Sequence, residues 1–310
     1  MIDRRSEMPT EKTAPRYTPV FETYKHILYE KDGYVAYITL NRPEKRNPLD
    51  RVVTIPELND ALSVAEWDDD VKVIVFKGAG PAFCAGYDLS EVGFMYGMKE
   101  PKSGETVRRP SQRIRLLQDR YMHCEFLRHV LYCQKATIAQ THGFCLGGGL
   151  MLAEKCDLIL GTEDCKYGFV EERLGLGGHT MSPTLILRVG LTKALELLMT
   201  GKMIDGKEAE RISLINRAVP ADKLETEVKE LANGVALHSR DGLAIAKATR
   251  HAVYESMGLG QWFNTAYWSH TLITNMRWEP DELNFFKQRR DKGVTEAAHE
   301  KQAYYKALDR

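Results

Sequence analysis

The sequence contains no long hydrophobic run and no excess of charge of either sign. None of its apolar stretches approaches the roughly 20 residues that span a bilayer, and the first 19 residues, MIDRRSEMPTEKTAPRYTP, have no apolar signal core. Lysine plus arginine and aspartate plus glutamate number 43 each, and the isoelectric point is near 7.1. These features argue against a general nucleic-acid or membrane-surface binder. We therefore expect a soluble, cytoplasmic protein with no nucleic-acid or membrane partner.

Cysteine is sparse, and no two cysteines form a CxxC pair. Their neighbours are mostly apolar, which favours buried free thiols in a reducing compartment over disulfides or a metal site. No metal is expected. The six cysteines are Cys84, Cys124, Cys133, Cys145, Cys156 and Cys165.

Strand and helix patterns alternate along most of the chain. The segment ILYEKDGYVAYITL predicts two strands with a turn at Asp32 and Gly33, because Asp-Gly is a strong hairpin signal. Helical spacing is found in IPELNDALSVAEW and in the long segment RIRLLQDRYMHCEFLRHVLYC, whereas VKVIVFKG, ATIAQTHG and CDLILGTEDCKYGF predict strands. This alternation predicts an α/β fold.

The change of pattern along the chain predicts three regions. Residues 1–24 contain prolines and mixed charge without periodicity, so we expect a mobile N-terminal tail. Residues 25–205 carry the alternating elements. In residues 206–310 the strand signal weakens to LINRAVP and helical patterns dominate, which predicts a helical C-terminal region.

Three consecutive glycines, Gly147 to Gly149, stand between an apolar strand pattern and a helical one. A helix N-terminus leaves backbone N–H groups without intrahelical partners, and glycine lets a ligand approach them. Tight packing of the strand against its helix explains the glycines equally well. The sequence contains neither GxxxxGK[ST] nor GxGxxG, so neither a nucleotide P-loop nor a dinucleotide fingerprint is present.

A second loop, AFCAGYDL, follows the strand VKVIVFKG. Together with NRPEKRNPL upstream and with GFCLGGG, YGFVEERLGLGG and LMTGKMID downstream, it resembles the crotonase, or enoyl-CoA hydratase/isomerase, superfamily. The resemblance extends over residues 27–290. It implies a spiral of ββα repeats, a helical C-terminal region that makes homotrimers and commonly hexamers, and an acyl-CoA substrate with no tightly bound cofactor.

The resemblance also implies an oxyanion hole. The backbone N–H groups of Tyr87 and Gly148 occupy the positions that bind the thioester oxygen in the superfamily. Two preorganised donors suit this chemistry because deprotonation or addition next to a thioester places negative charge on that oxygen, and one such donor contributes about 3–4 kcal/mol.

Hydratases of the superfamily carry two catalytic glutamates, and only one of the two positions matches here. Met151 occupies the first position and cannot transfer a proton, so simple, fast hydration is not expected. Glu171 matches the second, and a glutamate at the end of a strand facing an apolar pocket has a raised pKa suited to proton transfer. The alternative for Glu171 and Glu172 is a solvated charged turn, and we expect Glu172 at the surface.

Histidines offer a further acid or base. By resemblance, His179, in GLGGHTMSP, aligns with the aspartate of related dehalogenases and dienoyl-CoA isomerases. Histidine as a residue type has an ordinary pKa near neutral pH, which suits an acid or base. His179 is a catalytic candidate, although a hydrogen-bonded turn residue is the alternative. We expect His142 to make a structural hydrogen bond.

Coenzyme A phosphates require cations. By resemblance, Arg42, Lys45 and Arg46 lie near the nucleotide, and Phe286 and Arg289 in FFKQRR reach the adenosine part. Ala85 and Asp88 complete the predicted coenzyme-binding set. For each charged residue the alternative is a solvated surface position.

Three functions remain open from the sequence. An acyl-CoA lyase or isomerase with Glu171 as the main acid/base is favoured. The alternatives are a C–C bond or thioester hydrolase using Glu171 and His179, and a non-catalytic CoA- or partner-binding protein.

Overall fold

The computed structural model describes residues 17–88, 111–174, 182–273, 278–293, 296–297, 299–300 and 305–306. Helices and strands alternate through this part of the chain, as the sequence predicts. The strands are β1 (Ile27–Asp32), β2 (Val35–Leu40), β3 (Val73–Gly78), β4 (Ala136–Thr141), β5 (Phe144–Leu146), β6 (Leu158–Thr162), β7 (Lys166–Gly168) and β8 (Arg217–Val219). The helices are α1 (Thr54–Trp67), α2 (Gln112–Asp119), α3 (Phe126–Tyr132), α4 (Gly148–Lys155), α5 (Pro183–Thr200), α6 (Gly206–Arg211), α7 (Leu224–Ala236), α8 (Arg240–Ser256), α9 (Leu259–Ile273) and α10 (Phe285–Lys292).

The strands form one large sheet and one small sheet. The large sheet has the order β1-β2-β3-β4-β6-β8, and only its β1-β2 pair is antiparallel. Strands β5 and β7 form a parallel pair of their own. The predicted α/β fold class is therefore confirmed.

Strand β3 shows why the large sheet is buried on both faces. Val73 and Val75 point into one hydrophobic cluster, and Ile74 and Phe76 point into the other, as the two-residue period of a strand requires. All four side chains are buried. The β-forming run VKVIVFKG thus gives a central parallel strand with apolar layers on each side.

The region beyond residue 205 contributes to the sheet as well as to the helices. Strand β8 pairs in parallel with β6, and α7 covers one face of the sheet through Leu224, Val228 and Ala232. The boundary at residues 205 and 206 stays a prediction. No helix in the described ranges is long and apolar enough to cross a membrane.

The predicted long helix before β4 is interrupted. Helices α2 and α3 are joined by a π-helical turn, Arg120–Glu125, so the segment continues as three helical pieces. Such a turn adds a residue to the helical repeat and rotates the side chains that follow. A search of the sequence for 3.6-residue spacing does not detect such a short change of helical period.

Candidate active site

The two loops singled out in the sequence lie side by side. Cys84, in the loop after β3, forms a parallel bridge with Cys145 of β5. The Cys84 N–H donates to the Phe144 carbonyl at 2.9 Å, and the Leu146 N–H donates to the Cys84 carbonyl at 3.0 Å. This pairing brings residues 86–88 next to the start of α4.

Gly86 allows the loops to approach closely. Its φ is +98°, and a Cβ built there would lie 3.1 Å from the Leu146 carbonyl oxygen and 3.6 Å from the Gly148 nitrogen. A side chain at this position would be strained by the backbone and crowded by the neighbouring loop. Gly148 is the first residue of α4, so its N–H has no partner within the helix.

The Glu171 carboxylate lies over Gly147, directly before α4. Gly147 has φ +49°, and a Cβ built there would lie 2.7 Å from Glu171 Oε2. A hydrogen bond of 2.9 Å from the Gly147 N–H to the Gly168 carbonyl ties this turn to the end of β7. The fold thus brings together Glu171 and Gly148, two of the predicted catalytic residues.

Two expectations for the glutamate segment are wrong. Glu171 is not at a strand end, because β7 stops at Gly168 and Glu171 lies in a short 3-10 helix, Val170–Leu174. Glu172 is not at the surface, since it is only 5 % exposed. In this helix consecutive side chains turn away from each other, and Glu171 keeps the half-buried position beside α4 while Glu172 points into the protein.

The ring of Tyr87 covers Gly148. A Cβ built at Gly148 would lie 2.8 Å from Tyr87 Cε2 and 3.0 Å from Cδ2. Tyr87 is half-buried and packs against the main core. The predicted oxyanion pair, Tyr87 and Gly148, is therefore adjacent in space although the two residues are about 60 positions apart.

Met151 lies one helical turn after Gly147, the residue that the Glu171 carboxylate approaches. Its N–H donates to the Gly147 carbonyl at 2.9 Å, and its half-buried side chain packs against the core. Residues four apart lie on one face of a helix. Met151 therefore lies one turn along α4 from Gly147, the residue over which the Glu171 carboxylate lies.

One of the predicted coenzyme-binding cations, Arg42, forms ion pairs within the protein. Arg42 contacts Asp50 and Asp88, each with an N–O distance of 3.2 Å, and its side chain is 12 % exposed. Lys45 and Arg46 are exposed. The Arg46 guanidinium lies 5.1 Å from the centre of the Phe144 ring, and the Ala85 N–H donates to the Arg46 carbonyl at 2.9 Å.

Asn47 organises this loop and was not singled out in the sequence. It is buried, has φ +55°, and its amide donates to the carbonyls of Ala79 and Ala82 at 2.8 and 2.7 Å. Its Oδ1 accepts from the Arg42 N–H at 2.8 Å. Asn47 therefore connects the loop after β2, which contains Arg42, to the loop after β3, which contains Gly86. The only sequence signal for this role is that asparagine tolerates positive φ.

Asp50 was also missed, and it joins the loop to α1. Its carboxylate accepts from the N–H groups of Val52 and Val53 at 3.0 and 2.7 Å and contacts His26 Nδ1 at 2.8 Å. Burial alone would raise the pKa of Asp50, but hydrogen bonds from Thr54, Val53 and His26 outweigh it and hold the pKa below its ordinary value. Asp50 therefore stabilises the fold in its ionised form.

Replacing Asp50 with asparagine should reduce stability in a pH-dependent way. Because the folded pKa lies below the unfolded value of about 3.9, the charge-linked stabilisation is complete above that value and is lost as pH falls through the folded pKa. Denaturation of wild type and Asp50→Asn at pH 7 and near pH 3 should show a smaller difference at the acid pH. An equal difference at both pH values would contradict the assignment.

A buried polar cluster holds the far end of α4. The Lys155 side chain is 0 % exposed, and its Nζ donates to Glu154 Oε1 at 2.6 Å and to Thr184 Oγ1 at 2.8 Å. Ser182 Oγ lies 3.1 Å from the same nitrogen. Burial lowers the pKa of the Lys155 ammonium. These bonds fix the start of α5 to the helix whose first residue is Gly148.

The remaining predicted residues are distributed as follows. His142 Nε2 lies 2.8 Å from the Gly80 carbonyl oxygen, which agrees with the expected structural hydrogen bond. His179 lies outside the described residues. Phe286 and Arg289 belong to α10.

All six cysteines are buried free thiols, as predicted. The described part of the chain contains no group of three or more histidine, cysteine, aspartate or glutamate side chains placed to hold a metal ion.

Comparison with known proteins identifies the family. The sequence profile of enoyl-CoA hydratase/isomerase matches residues 30–290. The chain belongs to the enoyl-CoA hydratase/isomerase family. This confirms the resemblance seen in the sequence motifs and makes the chain a member of an enzyme family.

Individual family members are similar over most of their length. EchA13 of Mycobacterium tuberculosis, provisionally named an enoyl-CoA hydratase, is 33 % identical over 87 % of this chain and 85 % of its own. The short-chain-enoyl-CoA hydratase of Clostridium acetobutylicum is 29 % identical over 77 % of this chain and 90 % of its own.

A solved structure of an enoyl-CoA hydratase/isomerase from Xanthobacter autotrophicus Py2 has a TM-score of 0.77 and 30 % identity, covering 91 % of this chain and 99 % of that one. The predicted crotonase fold is confirmed by this likeness.

Proposed function

We propose that this protein acts on acyl-CoA thioesters, stabilising a thioester enolate with the backbone N–H groups of Tyr87 and Gly148 and moving a proton with Glu171. The observation that carries the proposal is the position of the Glu171 carboxylate over Gly147, one residue before the N–H of Gly148. An acid/base group and a helix-start donor thus lie beside each other, which is the arrangement that proton transfer next to a carbonyl requires.

The chemistry follows from these two groups. With the thioester oxygen at the donors, Glu171 removes a proton from the carbon beside the carbonyl, and the electron pair moves onto the oxygen as an enolate. Return of the proton to the terminal carbon of the conjugated system shifts a double bond with no net change in atoms. One carboxylate is sufficient for this sequence. Concerted addition of water uses two, and Met151 stands at the position of the other glutamate.

The surroundings of the loop support an acyl-CoA ligand. Lys45 and Arg46 are exposed cations next to the loop of Ala85, and their side chains suit contact with phosphates. Arg42 and Asp88 contact each other, so we propose that they shape the loop while Lys45 and Arg46 meet the nucleotide. Roles for Phe286, Arg289 and His179 belong to the same proposal.

Assembly of several copies belongs to the proposal too. On α5, the side chains of Leu191, Leu195 and Met199 are spaced by four residues and are 57 %, 37 % and 78 % exposed. An apolar stripe of this kind supports the homotrimer, or hexamer of two trimers, implied by the family resemblance.

The proposal is tested by restoring the missing acid. Because Met151 lies one turn from the Glu171 contact, Met151→Glu should place a second carboxylate beside the first and raise hydration of crotonyl-CoA by about tenfold or more over a low wild-type rate. The matched control is Met151→Gln, which has a similar size but no ionisable group.

Hydration is followed by the loss of the conjugated thioester absorbance. Rapid hydration by wild type with no response to Met151→Glu would contradict the single-carboxylate mechanism. Release of free CoA by wild type would favour the hydrolase.

A further inference from the structure

An oxyanion hole works only when its two donors converge on one oxygen, each within about 2.7–3.1 Å of it. In this protein the two donors come from separate segments, the loop containing Tyr87 and the start of α4 at Gly148. Something must fix the distance between these segments. Cys84 contacts both of them, through its backbone and through its thiol.

The backbone of Cys84 sets the register between the loop and β5. Its N–H and carbonyl both bond to this strand, at 2.9 Å to the Phe144 carbonyl and at 3.0 Å to the Leu146 N–H. Strand β5 leads within two residues to Gly148. These bonds form with any residue at position 84 and do not explain the side chain.

The thiol makes a second connection within the loop. The Gly86 N–H donates to Cys84 Sγ at 3.4 Å, closing the turn that leads into Tyr87. Gly86 is buried, so a lost acceptor would leave its N–H without this partner. The sulfur therefore holds the backbone next to the first donor.

The same side chain is packed against the start of α4. A Cβ built at Gly149 would lie 2.6 Å from Cys84 Cβ and 2.8 Å from its Sγ. The helix thus rests against the cysteine at the residue immediately after Gly148. The Cys84 side chain thus touches both donor segments.

The thiol has no chemical role of its own at neutral pH. Cys84 is 0 % exposed, and burial raises its pKa to about 12. It stays protonated and out of reach of solvent, and nucleophilic attack requires a thiolate.

We propose that Cys84 is a positioning residue, whose thiol fixes the separation of the Tyr87 and Gly148 donors and so determines how strongly the thioester carbonyl is polarised. The inference rests on the proposed function, since it concerns the same oxyanion hole. It predicts that changes at Cys84 affect kcat and leave the binding of CoA esters nearly unchanged.

The test compares Cys84→Ala, Cys84→Ser and Cys156→Ala. Alanine removes both the acceptor and the spacer, whereas serine keeps an acceptor of similar shape. Cys156 is equally buried at the other end of α4, where its thiol contacts the Leu152 carbonyl at 3.6 Å. Its loss should lower stability without touching the donors.

Two measurements separate positioning from stability. The first is the kcat and KM of each variant with a 3-enoyl-CoA. The second is the red shift in absorbance of a bound, unreactive conjugated dienoyl-CoA, because polarisation of its carbonyl lowers the transition energy. We expect Cys84→Ala to lose about 10- to 100-fold in kcat with a smaller red shift and an unchanged KM, whereas Cys84→Ser and Cys156→Ala stay within about threefold of wild type.

The outcomes distinguish the inference from the function on which it rests. A full red shift in folded Cys84→Ala, or equal losses in Cys84→Ala and Cys156→Ala, would overturn the positioning role and leave the proposed function intact. If Cys84→Ala does not fold, a wild-type kcat and red shift in Cys84→Val, which fills the space but cannot accept a hydrogen bond, would overturn it. Absence of any red shift with wild type would overturn both proposals.

Discussion

Replacing Glu171 with glutamine should lower kcat by about 10²- to 10⁴-fold, the usual contribution of a positioned acid or base. Glutamine keeps the size and polarity of the side chain over Gly147 but cannot take up a proton. The affinity for a CoA ester should therefore change little. Steady-state kinetics with a 3-enoyl-CoA, together with calorimetric titration of the ester, measures both quantities.

Glu172 provides a control of the same chemistry one residue along. It is buried in the same 3-10 helix. The three atoms nearest a Cβ built at Gly147 all belong to Glu171 and none to Glu172. Glu172→Gln should lower the free energy of unfolding and leave kcat within about threefold of wild type. An equal loss of kcat in the two variants would show that activity depends on the integrity of the 3-10 helix and not on the Glu171 carboxylate.

Gly147→Ala is expected to have the second-largest effect, about a 100-fold loss in kcat, the scale set by a misplacement of about 1 Å. The added Cβ would lie 2.7 Å from Glu171 Oε2 and so must displace the carboxylate. The positive φ of +49° adds backbone strain at the turn before Gly148. Both effects disturb the geometry between the acid/base group and the donor.

Gly33→Ala separates the effect of backbone strain from the effect of displacing the Glu171 carboxylate. Gly33 has φ +59° in the β1-β2 turn, and nothing lies within 4 Å of a Cβ built there. It should show the loss of stability that comes from backbone strain, with an unchanged kcat. The crowding interpretation of Gly147→Ala would be wrong if both variants lost stability equally and neither lost activity.

Local signals in the sequence predicted the elements well because their causes are local. The Asp-Gly turn between β1 and β2 and the period-two burial of β3 depend only on neighbouring residues. The glycines at 86 and 147 were recognisable because positive φ and close backbone approach select glycine at such positions. Motif order then located Glu171 and the start of α4.

The parts that could not be predicted depend on contacts between distant segments. Arg42 is recognisable as a cation, but its pairing with Asp88 links residues 46 positions apart. The burial of Glu172 depends on the residues that pack against a five-residue helix. Two adjacent glutamates in the sequence instead indicated a surface position for Glu172. Asn47 and Cys84 bridge loops that come together only once the sheet has formed.

The most direct test of the central claim is mass spectrometry of a 3-enoyl-CoA incubated in D₂O with wild type and with Glu171→Gln. Proton transfer by Glu171 at an oxyanion-stabilised enolate predicts deuterium in the thioester recovered from wild type and none, above the rate without enzyme, from the variant. Equal deuterium incorporation with both proteins, or an unlabelled and unchanged thioester with wild type, would contradict it.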